Sequence, residues 1–384
     1  MAVTTVETNN KLIRFTQQIN REWVRENMFS PYQSEDLNAI IRLRYELKNG
    51  GEDLNIPLVS RLQGAGVATG TLVGNEEKID NYGMRVRLEW ARNAVVTTKA
   101  EKQKDSADIF GEAKPLLSDW LNELKRDELI AALMALPSET LPTSSSGVRV
   151  NGIQYDLATA AQRNTWNVDN SDRILYGMEV ANNSAVHATA LANVENTAAG
   201  RLTAANVSLM KRLALNANPH IRPYRTKDGY ENFVMFAGSL PFRDLKNDLA
   251  TVNQNARPRE TLGWHAAPNN PLFQDGDLLH DGVIIRMVPE ISSFVTNVWT
   301  TLLTAGATTS RVEPVFMCGQ QAAVFAMGQM AKPTFRKEDD YDFIQGVGIE
   351  AAYGVAKMFK KHPMTGTALK QWGVVTGFFF SPAD

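Results

Sequence analysis

Apolar residues change their spacing several times along the chain, and each change marks an element. From Asp53 onward, DLNIPLVSRL reads as a strand, and YGMRVRLEWARNAVVTT reads as a longer strand returning from it. Between them lies GAGVATGTLVGNEEKID, rich in glycine and acidic at its end. Compact hairpins turn in about two to five residues, so this is an extended hairpin with a long tip. On the returning strand, alternation sets Arg85, Arg87 and Glu89 on one face and Val86, Leu88 and Trp90 on the other. An isolated two-stranded ribbon is marginal in water, so the apolar face is expected to be covered by a neighbouring subunit.

From Lys102 to Leu136 the spacing becomes helical, with Ile109, Leu116, Leu117, Trp120, Leu121, Leu124, Ile130, Leu133 and Met134 at three- and four-residue steps. Run continuously, this helix would span on the order of 50 Å, with Pro115 expected to kink or restart it. Pro137 and SETLPTSSSG end it. Before the hairpin, residues 1 to about 50 are polar and mostly helical in pattern, with Trp23, Phe29 and Tyr32 as isolated anchors, which describes an arm. Residues 138–199 carry no clear pattern.

Leu202 to Ala217 reads as a helix with Thr203 as N-cap and an apolar face of Val207, Met210, Leu213 and Leu215. NFVMFAG is a strand running into the helix SLPFRDLKNDL, where Ser239 can cap and Pro241 suits the first turn. GVIIRMVPEI and VEPVFMCGQQAAVFAMGQM continue the alternation, the second as a buried strand followed by a small-residue helix, so residues 200–330 form an α/β domain. The remainder returns to glycine-punctuated strands, FIQGVGIEAAYGVAKMF and LKQWGVVTGFFF, which complete a sheet begun earlier.

Length and composition narrow the class. A chain of 384 residues exceeds the ~250–300 at which one core stops growing, so two compact parts are expected. With 43% hydrophobic and 21% charged residues the chain folds, and a net charge of -2 excludes a broadly cationic nucleic-acid surface. Cys318 is the one cysteine, so no intramolecular disulfide forms and a reducing cytosol is expected; the N-terminus lacks a secretion pattern. Ile291 to Ser310 carries no charge, but Thr296, Asn297, Thr300, Thr301, Thr304, Thr308 and Thr309 dilute it, and strands joined by a loop are expected there rather than a membrane span.

Catalytic chemistry finds no foothold. Gly64, Gly66 and Gly70 make GxGxxxG, which departs from the dinucleotide fingerprint and leads into a strand; no phosphate-binding GxxxxGK[ST] exists. His187, His220, His265, His280 and His362 are scattered, and each is expected at the surface or satisfied in the core. Glu338, Asp339, Asp340 and Asp342 read as a solvated loop rather than a cation site. Cys318, in an apolar run, reads as a buried structural thiol.

The succession LVSRLQGAGVATGTLVGNEEKI, a strand, and AKPLLSDWLNELKRDELIAALMAL resembles the tailed-bacteriophage major capsid proteins of the N-four-like phage capsid family. NFVMFAGSLPFRDLKND, Gly319-Gln320-Gln321-Ala322 and EDDYDFIQGVGIEAAYGVAKMFK resemble that family's later blocks, in the same order. The resemblance implies an α+β, Hong Kong 97-like phage capsid fold. Its parts would be an N-terminal arm (1–51), an extended β-hairpin loop (52–99), a peripheral domain (100–199) with a long spine helix at about 102–136, an axial α/β domain (200–330), and a return to the peripheral domain (331–384). It implies a self-assembling icosahedral shell protein without catalytic activity or cofactor, located in the virion capsid and assembled in the host bacterial cytoplasm. Its partners would be other copies of itself in hexamers and pentamers, portal, scaffolding and decoration proteins, and packaged double-stranded DNA held by weak nonspecific contact. Subunit contacts are expected from the loop tip, Gly64, Gly66, Gly70, Gly74, Asn75, Glu76 and Glu77, and from Arg85, Arg87 and Arg92, whose guanidinium groups would meet the tip carboxylates of neighbours. Two rivals remain at this stage: an encapsulin-like nanocompartment shell, which genome neighbours would distinguish, and a soluble α/β enzyme, which a stable monomer with a ligand-sized pocket would favour.

Overall fold

The computed structural model describes residues 27–62, 66–104, 109–194, 200–225, 231–260, 277–303, 311–339, 343–362 and 366–382, together with 22, 24, 25, 64 and 341. The first part holds β1 (Gln33–Ser34), β2 (Ile41–Arg44), β3 (Asp53–Val59), β4 (Asn81–Arg87), β5 (Glu89–Thr98), α1 (Lys99–Lys104) and α2 (Ala113–Met134). The middle holds β6 (Val150–Asn151), α3 (Ala160–Asp169), β7 (Ile174–Tyr176), α4 (His187–Val194), α5 (Ala204–Asn216), β8 (Tyr224–Arg225), β9 (Glu231–Ala237) and α6 (Ser239–Glu260). Then come β10 (Asp277–His280), β11 (Val283–Met287), α7 (Pro289–Asn297), α8 (Thr300–Leu303) and β12 (Val312–Cys318). The chain closes with β13 (Ala323–Asp339), β14 (Ile344–Lys357), β15 (Phe359–Lys361), β16 (Leu369–Gln371) and β17 (Val374–Phe380).

The chain forms two compact units, each assembled from three stretches. The larger comprises 28–89, 126–328 and 353–384, and is organised on a seven-stranded sheet in the order β10-β11-β9-β12-β17-β7, with β8 beside β9. Its central strands, VMFA of β9, VEPVFMC of β12 and VVTGFFF of β17, are near-continuous apolar runs because both sheet faces are covered. Helices α5 and α6 supply Val207, Met210, Phe242 and Leu245 to the core with Met235, Val315 and Phe379. The last strand, β17, pairs with β12 over Val312 to Cys318, so part of the stretch 331–384 lies in the same sheet as part of 200–330.

The smaller unit contains 90–125 and 329–352 among its described stretches. There β5, β14 and β13 lie side by side, with Lys99 N donating to Phe343 O at 2.9 Å.

Several expectations change. The helix predicted over 102–136 is broken: α1 ends at Lys104, a 3-10 turn covers Ile109–Glu112, and α2 begins at Ala113. Pro115 explains the restart, because its ring excludes the preceding turn's carbonyl while its missing N–H costs nothing in a first turn. At 22 residues, α2 is about 33 Å long. The described part of the first fifty residues has no α-helix; Ile41–Arg44 is a strand beside the start of β13. Phe29, fully buried, does anchor, edge-on to Phe236 at 4.7 Å, and Tyr32 meets the same ring at 5.5 Å. Residues 1–21 and Trp23 lie outside the described residues.

AAVFAMGQM is strand β13, not a helix, since its residues Ala322 to Met327 are buried and pairing with β2 overrides their helical propensity. The uncharged stretch expected as strands is helical: α7 and α8, with Thr296 and Thr300 returning hydroxyl bonds to Ser292 O and Val295 O at 2.9 Å each. Residues 304–310 lie outside the described residues. Among the described residues no helix is long and apolar enough to cross a membrane. Thr203 is the N-cap residue of α5, but its side chain makes no capping bond; Asp248 accepts from Ala204 N at 2.8 Å instead. Leu215, assigned to that helix's inner face, is 43% exposed.

Candidate functional site

The hairpin predicted from alternation is present, and its pairing is short. β3 and β4 pair antiparallel from Asp53 opposite Arg87 to Val59 opposite Asn81, and residues 60–80 form the loop between them. The inner face is Leu54, Ile56, Leu58, Met84 and Val86. Its cover comes from this chain, from Val324, Ala326, Ala356, Met358 and Phe359, which corrects the expectation that a neighbour supplies it. A hairpin standing on its own domain's core has no apolar face left to hide.

The face assignment of the returning strand is also corrected. Val86 is fully buried, yet Trp90 is 50% exposed and Glu89 is 8% exposed. The buried phase moves from even to odd positions at Leu88, the residue between β4 and β5. Side chains alternate with period two, so one unpaired residue sends every later side chain to the opposite face.

The predicted interface residues divide into three sets. Arg85 and Arg87 both pair with Asp53 of their own chain, Arg87 Nε at 2.8 Å, and Arg87 also donates to Pro142 O at 2.9 Å. The Arg87 guanidinium holds the Asp53 carboxyl below the usual carboxylate range. In the loop, Glu77 Oε2 accepts from Gly64 N and Glu76 Oε2 from Gly74 N, each at 2.7 Å. A β-carbon on Gly64 would lie 2.7 Å from Glu77 Oε2, so the glycine permits the cross-loop bond. Asn75 donates from Nδ2 to Thr71 O at 3.0 Å, Gly66 and Gly74 have positive φ, and Gly70 is exposed. Arg92 stands exposed on β5. The structure therefore brings Arg85 and Arg87 together on Asp53 and leaves the tip carboxylates engaged with their own loop.

What sequence reasoning missed is the apolar content of that loop. Leu62, Leu72, Val73 and Ile79 are 60–78% exposed. Four large apolar side chains exposed on one loop make it a candidate contact site. The signal was available in TLVG, an apolar pair between glycines in a loop otherwise free of structure.

His187 and Cys318 are both buried in the core. His187 is buried, with Tyr155 Oη 2.7 Å from Nε2 and Tyr176 Oη 2.6 Å from Nδ1. Tyr176 donates its own proton to Asn167 Oδ1 at 2.9 Å, so His187 carries its hydrogen on Nδ1 and accepts from Tyr155 at Nε2. Burial, then the nearby Arg163 charge, holds its pKa down at about 3. Cys318 is buried and its thiol pKa is pushed up by that burial. Among the described residues no group of three or more His, Cys, Asp or Glu side chains is placed to hold a metal ion. His265, Asp340 and Asp342 lie outside the described residues.

Comparison with known proteins places this arrangement. A family model described as phage capsid protein matches residues 4–376. The chain is similar to the cyanophage Pam1 capsid asymmetric unit, with 35% identity, a TM-score of 0.84 and all of both chains covered. It is also similar to the capsid of Ralstonia phage GP4, with 16% identity, a TM-score of 0.68, and 100% and 99% of the two chains covered. The head structure of Helicobacter pylori bacteriophage KHP40 follows at 14% identity and TM-score 0.62, covering 97% and 95%. At those identities the last two speak to the fold alone. No curated protein matches the chain.

Proposed function

The chain belongs to the phage capsid protein family, and on that premise we propose that it works by association, as the major capsid protein whose copies build the icosahedral shell around a tailed phage's double-stranded DNA. It is a structural protein, not an enzyme, and its α+β fold is that of tailed-phage capsid subunits. Its place is the virion capsid. The observation that carries the mechanism is the loop 60–80: a stem rooted in its own core and a tip whose apolar side chains have no cover in the subunit. Each such contact is small, and a closed shell repeats it many times, so weak correctable contacts sum to a stable whole.

In this proposal residues 1–51 act as an arm and 52–99 as the extended loop; 100–199 form a peripheral part with α2 as spine, 200–330 an axial part, and 331–384 return to the periphery. Copies associate as hexamers and pentamers. The tip residues Gly64, Gly66, Gly70, Gly74, Asn75, Glu76 and Glu77 lie at the subunit interface with Leu72 and Val73. Arg85 and Arg87 already hold Asp53, so Arg92 is the arginine we set against a neighbour's tip carboxylate. Portal, scaffolding and decoration proteins complete the particle, assembly takes place in the host cytoplasm, and the near-neutral chain meets packaged DNA through weak, salt-sensitive contacts.

Electron microscopy with size-exclusion chromatography, on the chain expressed alone and then with its genomic neighbours, tests the reading. Shells, tubes or capsomer rings are expected. A stable monomer under every condition, scaffold included, overturns it.

A further inference from the structure

The hairpin ladder ends at Val59 and Asn81, and a buried cation sits just beyond it, where the loop opens. Lys360 of β15 is 1% exposed, and its Nζ donates to Asp80 Oδ2 at 2.6 Å and to Ser60 Oγ. Ser60 Oγ donates to the same Asp80 oxygen at 2.9 Å, and Ser60 N donates to Asp80 O at 3.1 Å. The three groups form a closed triangle across the loop's two ends. The neighbours of Lys360 hold the adjoining stem: Phe359 lies 6.2 Å from the Tyr82 ring, and Lys361 pairs at 2.7 Å with Glu139, which also accepts from Tyr82 Oη at 3.1 Å.

Burying an ammonium is costly, and packing alone would be served by methionine or leucine at this position. A cation adds direction, because its site is satisfied only while Ser60 and Asp80 stay together. We propose that Lys360 is a positioning residue for assembly: by locking Ser60 to Asp80 it closes the mouth of the loop 60–80 and presents Leu62, Leu72, Val73 and Ile79 already ordered to an adjacent copy. The inference rests on the reading of this loop as a subunit interface. Ordering the loop before contact removes an entropic cost that would otherwise be met at each interface in the shell.

Trypsin provides the test, because Arg61 and Lys78 are exposed just inside the clamp. Unassembled subunits of the wild type, Lys360→Met and Asp80→Asn are compared for cleavage at those two sites, for thermal midpoint and for the critical concentration of shell formation. In both variants cleavage is expected to rise about tenfold through local opening, and the critical concentration several-fold. The thermal midpoint of Lys360→Met is expected to stay nearly level, because the Asp80 carboxylate left behind is 42% exposed and water can take the place of the ammonium, which separates positioning from a general loss of stability. Wild-type cleavage rates, or faster cleavage with unchanged assembly, overturn the role of Lys360. The double variant Leu72→Ser/Val73→Ser tests the underlying reading separately: if it assembles as the wild type does, the loop is not the interface, whatever Lys360 does.

Discussion

His187 and Lys357 are titratable groups whose charged forms burial disfavours, and each ties stability to pH in its own window. His187 has a folded pKa of about 3 against 6.5 when free. Between those values the unfolded chain carries a proton that the folded chain lacks, so stability falls as pH drops through the window. Chemical denaturation at pH 7 and pH 4.5 is expected to show the loss, and His187→Gln to show less of it, at a cost of about 1–3 kcal/mol at neutral pH for tyrosine hydroxyls left unmatched. Lys357, buried beside Cys318 and over the Trp166 ring, donates to Leu133 O at 3.1 Å, in the last turn of α2. Burial brings its pKa down to about 7 from 10.5. Here too the unfolded state holds the extra proton, so stability rises with pH across that window, and Lys357→Met is expected to flatten the rise measured between pH 7 and pH 10. That Cys318 would be a buried thiol was legible from its apolar setting, and for His187 the sequence left the surface and a satisfied place in the core both open. Their partners were not legible, because Tyr155, Tyr176 and Lys357 are brought in by folds of the chain that no local spacing records.

Elements were legible where period and punctuation agreed, as in β3, β4, α5, β9 and α6. They were misread where burial on both faces erased the period: β13 looks helical because its residues are small, and only its position beside β2 makes it a strand. β14 was read as a glycine-punctuated strand, and Gly354 shows what such a glycine permits, a close approach of backbone. A β-carbon there would stand 2.1 Å from Arg87 O, too near for any side chain. Gly354→Ala is therefore expected to destabilise the subunit by about 2 kcal/mol or more, read as a lowered denaturation midpoint, with the β4 to β6 neighbourhood the first to lose amide protection. A milder change at the exposed Gly70 is expected within about 0.5 kcal/mol.

At the scale of the whole molecule, the predictions concern association rather than folding. Leu72→Ser/Val73→Ser removes apolar surface that the subunit does not bury, so its unfolding free energy, from chemical denaturation, should move by less than about 0.5 kcal/mol while shell yield, counted by electron microscopy, falls at least about tenfold. Glu76→Lys is expected to weaken assembly less than the apolar variant does, since Glu76 already serves Gly74 of its own loop; a larger loss of shells than the apolar variant shows would mean that charge rather than apolar contact dominates the interface.

By itself the sequence determined the class of molecule, an α+β chain without catalytic constellation, with a long glycine-rich hairpin loop, and the order of blocks that identifies a capsid subunit. These are properties of local spacing and of residue types present or missing, and they survive without coordinates. Only the tertiary structure decided which faces are covered. The phase change at Leu88, the cover of β3 and β4 by their own chain, the exposure of Leu72 and Val73, and the clamp of Lys360 on Asp80 depend on residues far apart in sequence meeting in space. Burial is a property of the whole packed chain, and no window along it contains both partners of such a contact.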